Sequence, residues 1–142
     1  DYRKVSSGTT NHAESIEITY DPKKISYGQL LKVFFAAAHD PTQLNKQGPD
    51  WGRQYRSAIF YTTDEQRAVA EAYIRQLDAS GIFGKKIVTT VEKLDKFYPA
   101  ESYHQDFARN NPNQGYVVVN ALPKVEKLKK SLPDLVADKT RK

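Results

Sequence analysis

The 142 residues carry 22 Lys and Arg against 17 Asp and Glu, with 39% hydrophobic and 11% aromatic side chains, a make-up that fits one globular domain. No window approaches the roughly 20 apolar residues of a membrane span. The lack of cysteine excludes disulfides, thiolate catalysis and cysteine metal sites within these residues. The net charge of +5 does not mark a nucleic-acid binder: residues 124–142 hold seven Lys/Arg and three Asp/Glu, so +4 of it lies in the tail and the body is nearly neutral.

Residues 1–11, DYRKVSSGTTN, are turn-formers without periodicity and read as a loop. The chain opens at Asp1 and contains no methionine, which leads us to expect further residues upstream. Residues 12–20 alternate, with Ile16, Ile18 and Tyr20 on one face of a first strand. The same parity carried back puts Glu14 on the apolar face, where a carboxylate is the informative exception. A strand that starts only at Ser15 would instead leave Glu14 in a solvated loop.

Ser26 with Gln29 forms a capping box for a helix over 27–38, with Leu30, Leu31, Phe34, Phe35 and Ala38 inward, and Asp40-Pro41 stops it. Residues 39–52 form a loop dense in hydrogen-bonding groups. It feeds a strand over 53–61 that reads as central, with Tyr55, Ser57, Ile59 and Tyr61 on one face and Gln54, Arg56, Ala58 and Phe60 on the other. Thr63 and Gln66 repeat the capping signal for a helix to about residue 80, with Val69, Ala72, Tyr73, Gln76 and Leu77 on its inner face, ended by Gly81.

Residues 86–92, rich in β-branched side chains, read as a third strand. A short helix over 99–110 carries Tyr103, His104 and Phe107. Residues 117–119 read as one more short strand, and a last amphipathic helix over 123–131 turns Val125 and Leu128 to the core, with Leu132 just beyond. Strands alternating with helices imply an α+β fold, a two-layer α/β sandwich of ferredoxin-like type with a small mixed sheet and helices packed on it. Three strands make a thin sheet.

The stretches SSGTTNHAE (6–14), HDPTQLNKQGPDWGRQYRS (39–57), FYPAESYHQ (97–105) and NPNQGY (111–116) resemble A-type peptide methionine sulfoxide reductases in content, order and spacing. The resemblance covers nearly the whole chain, and HDPTQ and QYRSAIF are its most specific parts. It implies reduction of methionine S-sulfoxide, free or in oxidised proteins and peptides, as protein repair under oxidative stress. It also implies thioredoxin as the external thiol reductant, with no cofactor and no metal. A cysteine thiolate attacks the sulfoxide sulfur while an acid protonates its oxygen. In the family that cysteine lies in a GCFW-like motif at the end of the first strand, and this chain enters the family pattern only after that strand and its cysteine helix. The expectation is therefore a single domain, the larger C-terminal part of such a reductase, inactive as residues 1–142 alone. The alternative is a cysteine-less relative or half-chain that binds methionine sulfoxide peptides without turning them over.

Matched residue by residue, the resemblance makes Glu14 the active-site acid, kept protonated by partial burial, and Tyr55 the hydroxyl that holds the sulfoxide oxygen. Asp50 lines the same pocket, Tyr116 lies near its rim, and Trp51 covers either the pocket or plain surface. His104 shapes the pocket, and with no second histidine at ligand spacing it is not a metal ligand. Phe107 stands where many relatives carry tyrosine. Val117 stands where many carry a resolving cysteine, which excludes a disulfide relay through that position. A cytoplasmic or periplasmic monomer without nucleic-acid or membrane partners completes the expectation.

Overall fold

The computed structural model describes residues 12–136; the expected loop over 1–11 and the end of the basic tail lie outside them. The capping box forms as the sequence requires: Ser26 Oγ accepts from the Gln29 N–H, and the Gln29 side chain accepts from the Ser26 N–H. Helix α1, Tyr27–Val33, widens into a π-helical turn over Phe34–Ala38, and the backbone then becomes extended at His39. Strands β1 (Lys46–Gln47) and β2 (Asp50–Trp51) make a small antiparallel hairpin. A 3-10 turn, Arg53–Tyr55, leads into β3, Ala58–Tyr61.

Helix α2, Asp64–Ser80, starts on the Thr63 cap, whose side chain accepts from the Gln66 N–H, and ends at Gly81 in the left-handed conformation (φ 66°). It returns the chain to β4, Thr90–Lys93, which pairs in parallel with β3 in the register Ala58 to Thr90 through Tyr61 to Lys93. This β3-α2-β4 unit and the separate hairpin, with helices packed on them, give an α+β architecture. The core is Leu31 and Phe35 from the first helix, Ile59 from β3, Ala70 from α2 and Ile87, with Tyr73, Leu77 and Val91 packed on it. Phe35 and Tyr73 stack at 5.6 Å between ring centroids and so lock the two helices together.

Several expected elements differ. No strand forms over 12–20: the segment lies against the chain through Glu14 N–H to Gln54 O (2.8 Å), and Ile16 is 83% exposed. Alternation buries a face only where a neighbouring strand fixes the pleat, and none among the described residues lies along it. The strand expected over 53–61 forms only from Ala58, because Tyr55 N–H closes a tight turn onto Gly52 O (3.0 Å). Among the described residues its one ladder partner is β4, so it is not flanked on both sides. The third strand begins at Thr90 rather than 86, since Ile87 N–H goes to the Asp78 carboxylate and Val88 N–H to Pro41 O. The helix over 99–110 shrinks to α3, Phe107–Asn110, because Asp106 sits at φ 53°, outside helical backbone.

Residues 117–119 are helical: a π-helical turn, Val117–Ala121, runs into α4, Leu122–Ser131. Gln114 caps it, its side chain accepting from Val117 N–H and its carbonyl from Val118 N–H. Of this turn Val117 is buried while Val119 is 70% exposed. On α2, Val69 and Gln76 face outward, and Val125 of α4 is exposed as well.

Candidate active site

The β1-β2 hairpin and the 3-10 turn after it carry three of the candidate residues, Asp50, Trp51 and Tyr55. Gly52 N–H bonds Asn45 O (2.9 Å) across the hairpin, which fixes where the chain leaves β2. Gly52 adopts φ 131° and ψ 162°, a backbone open in practice only to glycine. A Cβ there would lie 2.2 Å from Gln54 Oε1, so the buried Gln54 side chain fills the space a side chain at 52 would need. The turn therefore presents Tyr55 directly after Gln54, whose carbonyl holds Glu14.

Asp50 accepts a short hydrogen bond from the Tyr116 hydroxyl. Tyr116 is half-exposed as a residue, with its hydroxyl end turned to Asp50. Loss of water at that end, the bond to Asp50 and the Asp50 charge hold the phenol far above the usual tyrosine value, and Glu14 and Tyr55 add in the same direction. Of the six candidate residues, Tyr116 thus bonds Asp50 and lies within electrostatic reach of Glu14 and Tyr55. Such a cluster of two carboxyls and two phenols can donate to a polarised oxygen and can hold a proton close to it.

The other two stand differently. Trp51 follows Asp50 on β2 with the opposite facing; it is 70% exposed, and the Lys46 Nζ sits 4.1 Å over its ring. His104 stacks on Phe107 at 6.0 Å and meets Tyr103 edge-on, while its N–H bonds Glu101 O. The burial expected for Glu14 is not found among the described residues: the side chain is exposed. Its inward parity depended on a strand that does not form. The segment is held instead by the Gln54 bond and by His12 stacked on Tyr98 at 4.8 Å.

Sequence reasoning did not single out the directed chain that runs from His39 through Ser57 to Thr89. His39 Nδ1 lies 3.0 Å from Phe34 O, which can only accept, so Nδ1 carries the proton and Nε2 must accept from Ser57 Oγ at 2.6 Å. Ser57, 4% exposed, then accepts from Thr89 at 2.7 Å. Burial, aided by the Lys124 charge, outweighs the Phe34 bond and Asp40, and lowers the imidazole below its ordinary value. The nearest signal was the parity that put Ser57 on the Tyr55 face. Among the described residues no group of three or more His, Asp or Glu can hold a metal ion. No described helix is long and apolar enough to cross a membrane.

The family model described as "Peptide methionine sulfoxide reductase" matches residues 1–135. The chain belongs to this family. It is 59% identical over 133 residues to a peptide methionine sulfoxide reductase MsrA 2 of a Synechocystis species, covering 94% of this chain and 62% of that protein. It is 56% identical to a protein of the same description from Mesorhizobium japonicum, covering 97% and 71%. Among solved structures, the reductase family chain is similar to Mxr1 from Saccharomyces cerevisiae in reduced form: TM-score 0.71, 39% identity, 79% of this chain and 60% of that one. The methionine sulfoxide reductase A of Corynebacterium diphtheriae follows with TM-score 0.63 and 35% identity, covering 78% and 57%. The chain thus spans about 60% of the length of several of these reductases.

Proposed function

We propose that these residues form the acid and oxygen-binding part of a site that reduces methionine S-sulfoxide, with the sulfur nucleophile supplied from outside residues 1–142. A cysteine thiolate attacks the sulfoxide sulfur, the S–O bond breaks, the oxygen passes to the cysteine as sulfenic acid with one proton, and methionine leaves reduced by two electrons. Glu14 is the proton donor. Tyr55 holds the oxygen. Tyr116, whose single proton goes to Asp50, lies at the rim of the site, Trp51 borders it, and His104 shapes it by packing. An external dithiol of thioredoxin type then reduces the sulfenic acid to thiol, releasing water and its own disulfide. We assign the reaction to a cytoplasm in which such reductants operate on oxidised proteins and peptides as well as the free amino acid, with a monomer as the working form.

The observation that supports this most is the meeting of Asp50 and Tyr116 with Glu14 and Tyr55 close enough to act on the same phenol. The test is turnover of N-acetyl-methionine S-sulfoxide by the protein at its natural full length with a dithiol, against Glu14→Gln. Replacing the acid is expected to cost about 10²- to 10⁴-fold in kcat; a near-normal rate would remove Glu14 from the reaction. Residues 1–142 alone are expected to bind but not turn over, because no side chain in them equals a thiolate as a sulfur nucleophile.

A further inference from the structure

A cleft of about 340 Å³ opens beside the candidate site, lined among others by Gln43, Asn45, Arg53, Arg56 and Glu92. It is a charged cleft with an uneven balance. Arg56, whose side chain is 9% exposed, donates through Nε to Glu92 Oε2 at 3.2 Å and through its terminal amine to Oε1 at 3.5 Å. Thr90 adds a bond to Glu92 Oε2 at 2.7 Å, so both oxygens of the only acidic lining residue are engaged. Arg53 also lines the cleft and is exposed, which leaves the cleft with two guanidinium groups to one carboxylate. The next residue after Asn45, Lys46, places a further cation on the same hairpin.

The cleft shares the 3-10 turn with the site, Arg53 lining the one and Tyr55 standing in the other. Arg53 and Tyr55 are the two ends of one 3-10 turn, an axial separation of about 4 Å at roughly 2 Å per residue. Extended peptide advances about 3.4 Å per residue. A chain whose oxidised methionine sits at Tyr55 has flanking residues, two or three positions away, within the span of the long Arg53 side chain.

We infer that this cleft receives a carboxylate of the substrate polypeptide close to the oxidised methionine, held by Arg53, so that acidic surroundings favour a sulfoxide as substrate. This rests on the function proposed above. Arg53 matches a carboxylate because its planar fork donates two parallel hydrogen bonds, whereas a neutral amide takes only one and gains no charge. The carboxylate comes either from an Asp or Glu side chain or from the peptide C-terminus.

The experiment measures kcat/KM of the full-length protein on short methionine sulfoxide peptides that differ only in Glu or Gln at each flanking position, and in a free or amidated C-terminus. The acidic member of at least one pair is expected to be favoured about three- to tenfold, through KM. Arg53→Gln brings that ratio to one, and Arg53→Lys retains part of it. A ratio near one in the unaltered protein overturns the inference, as does a ratio that survives Arg53→Gln. Loss of turnover on N-acetyl-methionine sulfoxide would strike the proposed function instead. Calorimetric binding of the same peptide pairs then decides the cleft by the same ratios.

Discussion

The Tyr116 hydroxyl donates to the Asp50 carboxylate, joining residues 66 apart in sequence. The bond ties the turn before the C-terminal helices to the hairpin that precedes Tyr55. A tyrosine so held keeps its proton well into alkaline solution.

Alkaline titration tests that bond. A phenol raised above its ordinary value of 10 in the folded protein favours the protonated form, so its contribution to stability is whole below that pH and drains away as pH rises beyond it. The difference in phenolate absorbance between the unaltered protein and Tyr116→Phe is expected to show one tyrosine ionising later than an ordinary one. Asp50→Asn moves it back down. Because the residue is half-exposed, Tyr116→Phe should cost no more than about 1 kcal/mol of stability.

His39 gives an acid-side prediction with the opposite sense. Its native value lies below the ordinary 6.5, so the unfolded chain binds the proton first. Stability is then fully present above 6.5 and falls as pH drops toward the native value. Thermal unfolding between pH 7.5 and acid should show this loss, and His39→Gln, which cannot take up a proton, should flatten it. If both proteins lose stability equally, the limb belongs to other groups. Ser57→Ala, leaving Nε2 buried without a donor, should cost about 1–3 kcal/mol at neutral pH.

Gly81 isolates a backbone effect. It caps α2 at φ 66°, and an added Cβ would meet nothing within 4 Å. Gly81→Ala should therefore destabilise by about 1–2 kcal/mol from conformation alone, and Gly81→Asn by less. Denaturant unfolding with unchanged m-value is the check; a neutral Ala variant would show that the left-handed cap carries no cost.

The core responds to size in both directions. Ala70 is 0% exposed among Leu31, Phe35, Ile59 and Ile87. Ala70→Leu should cost about 1–3 kcal/mol by overpacking, and Phe35→Ala about 3–5 kcal/mol by leaving a cavity under the Tyr73 ring. Equilibrium unfolding that ranked Ala70→Leu as the worse of the two would contradict this packing.

Local signals that close within a few residues were legible. Ser26 with Gln29, Thr63 with Gln66, and Gly81 all act as the sequence says, because each cap is satisfied by its own turn. Signals that need a distant partner were not. Alternation at Ile16 and Ile18 has no consequence without a neighbouring strand, and the β-branched run at Val117 stays helical because Gln114 supplies a cap and Val117 a buried contact. The resemblance named Glu14, Asp50, Tyr55 and Tyr116 together; of these Tyr116 bonds Asp50, and the Glu14 and Tyr55 charges reach its phenol. Periodicity alone favoured a strand through Tyr55, and it missed the turn that aims this residue because the turn depends on Gly52 and Gln54 interlocking.

That interlock makes position 52 a hub for inheritance as well as geometry. If every codon were sampled there under selection for a folded hairpin, the survivors should converge on one residue, while the exposed Trp51 and Arg53 on either side vary.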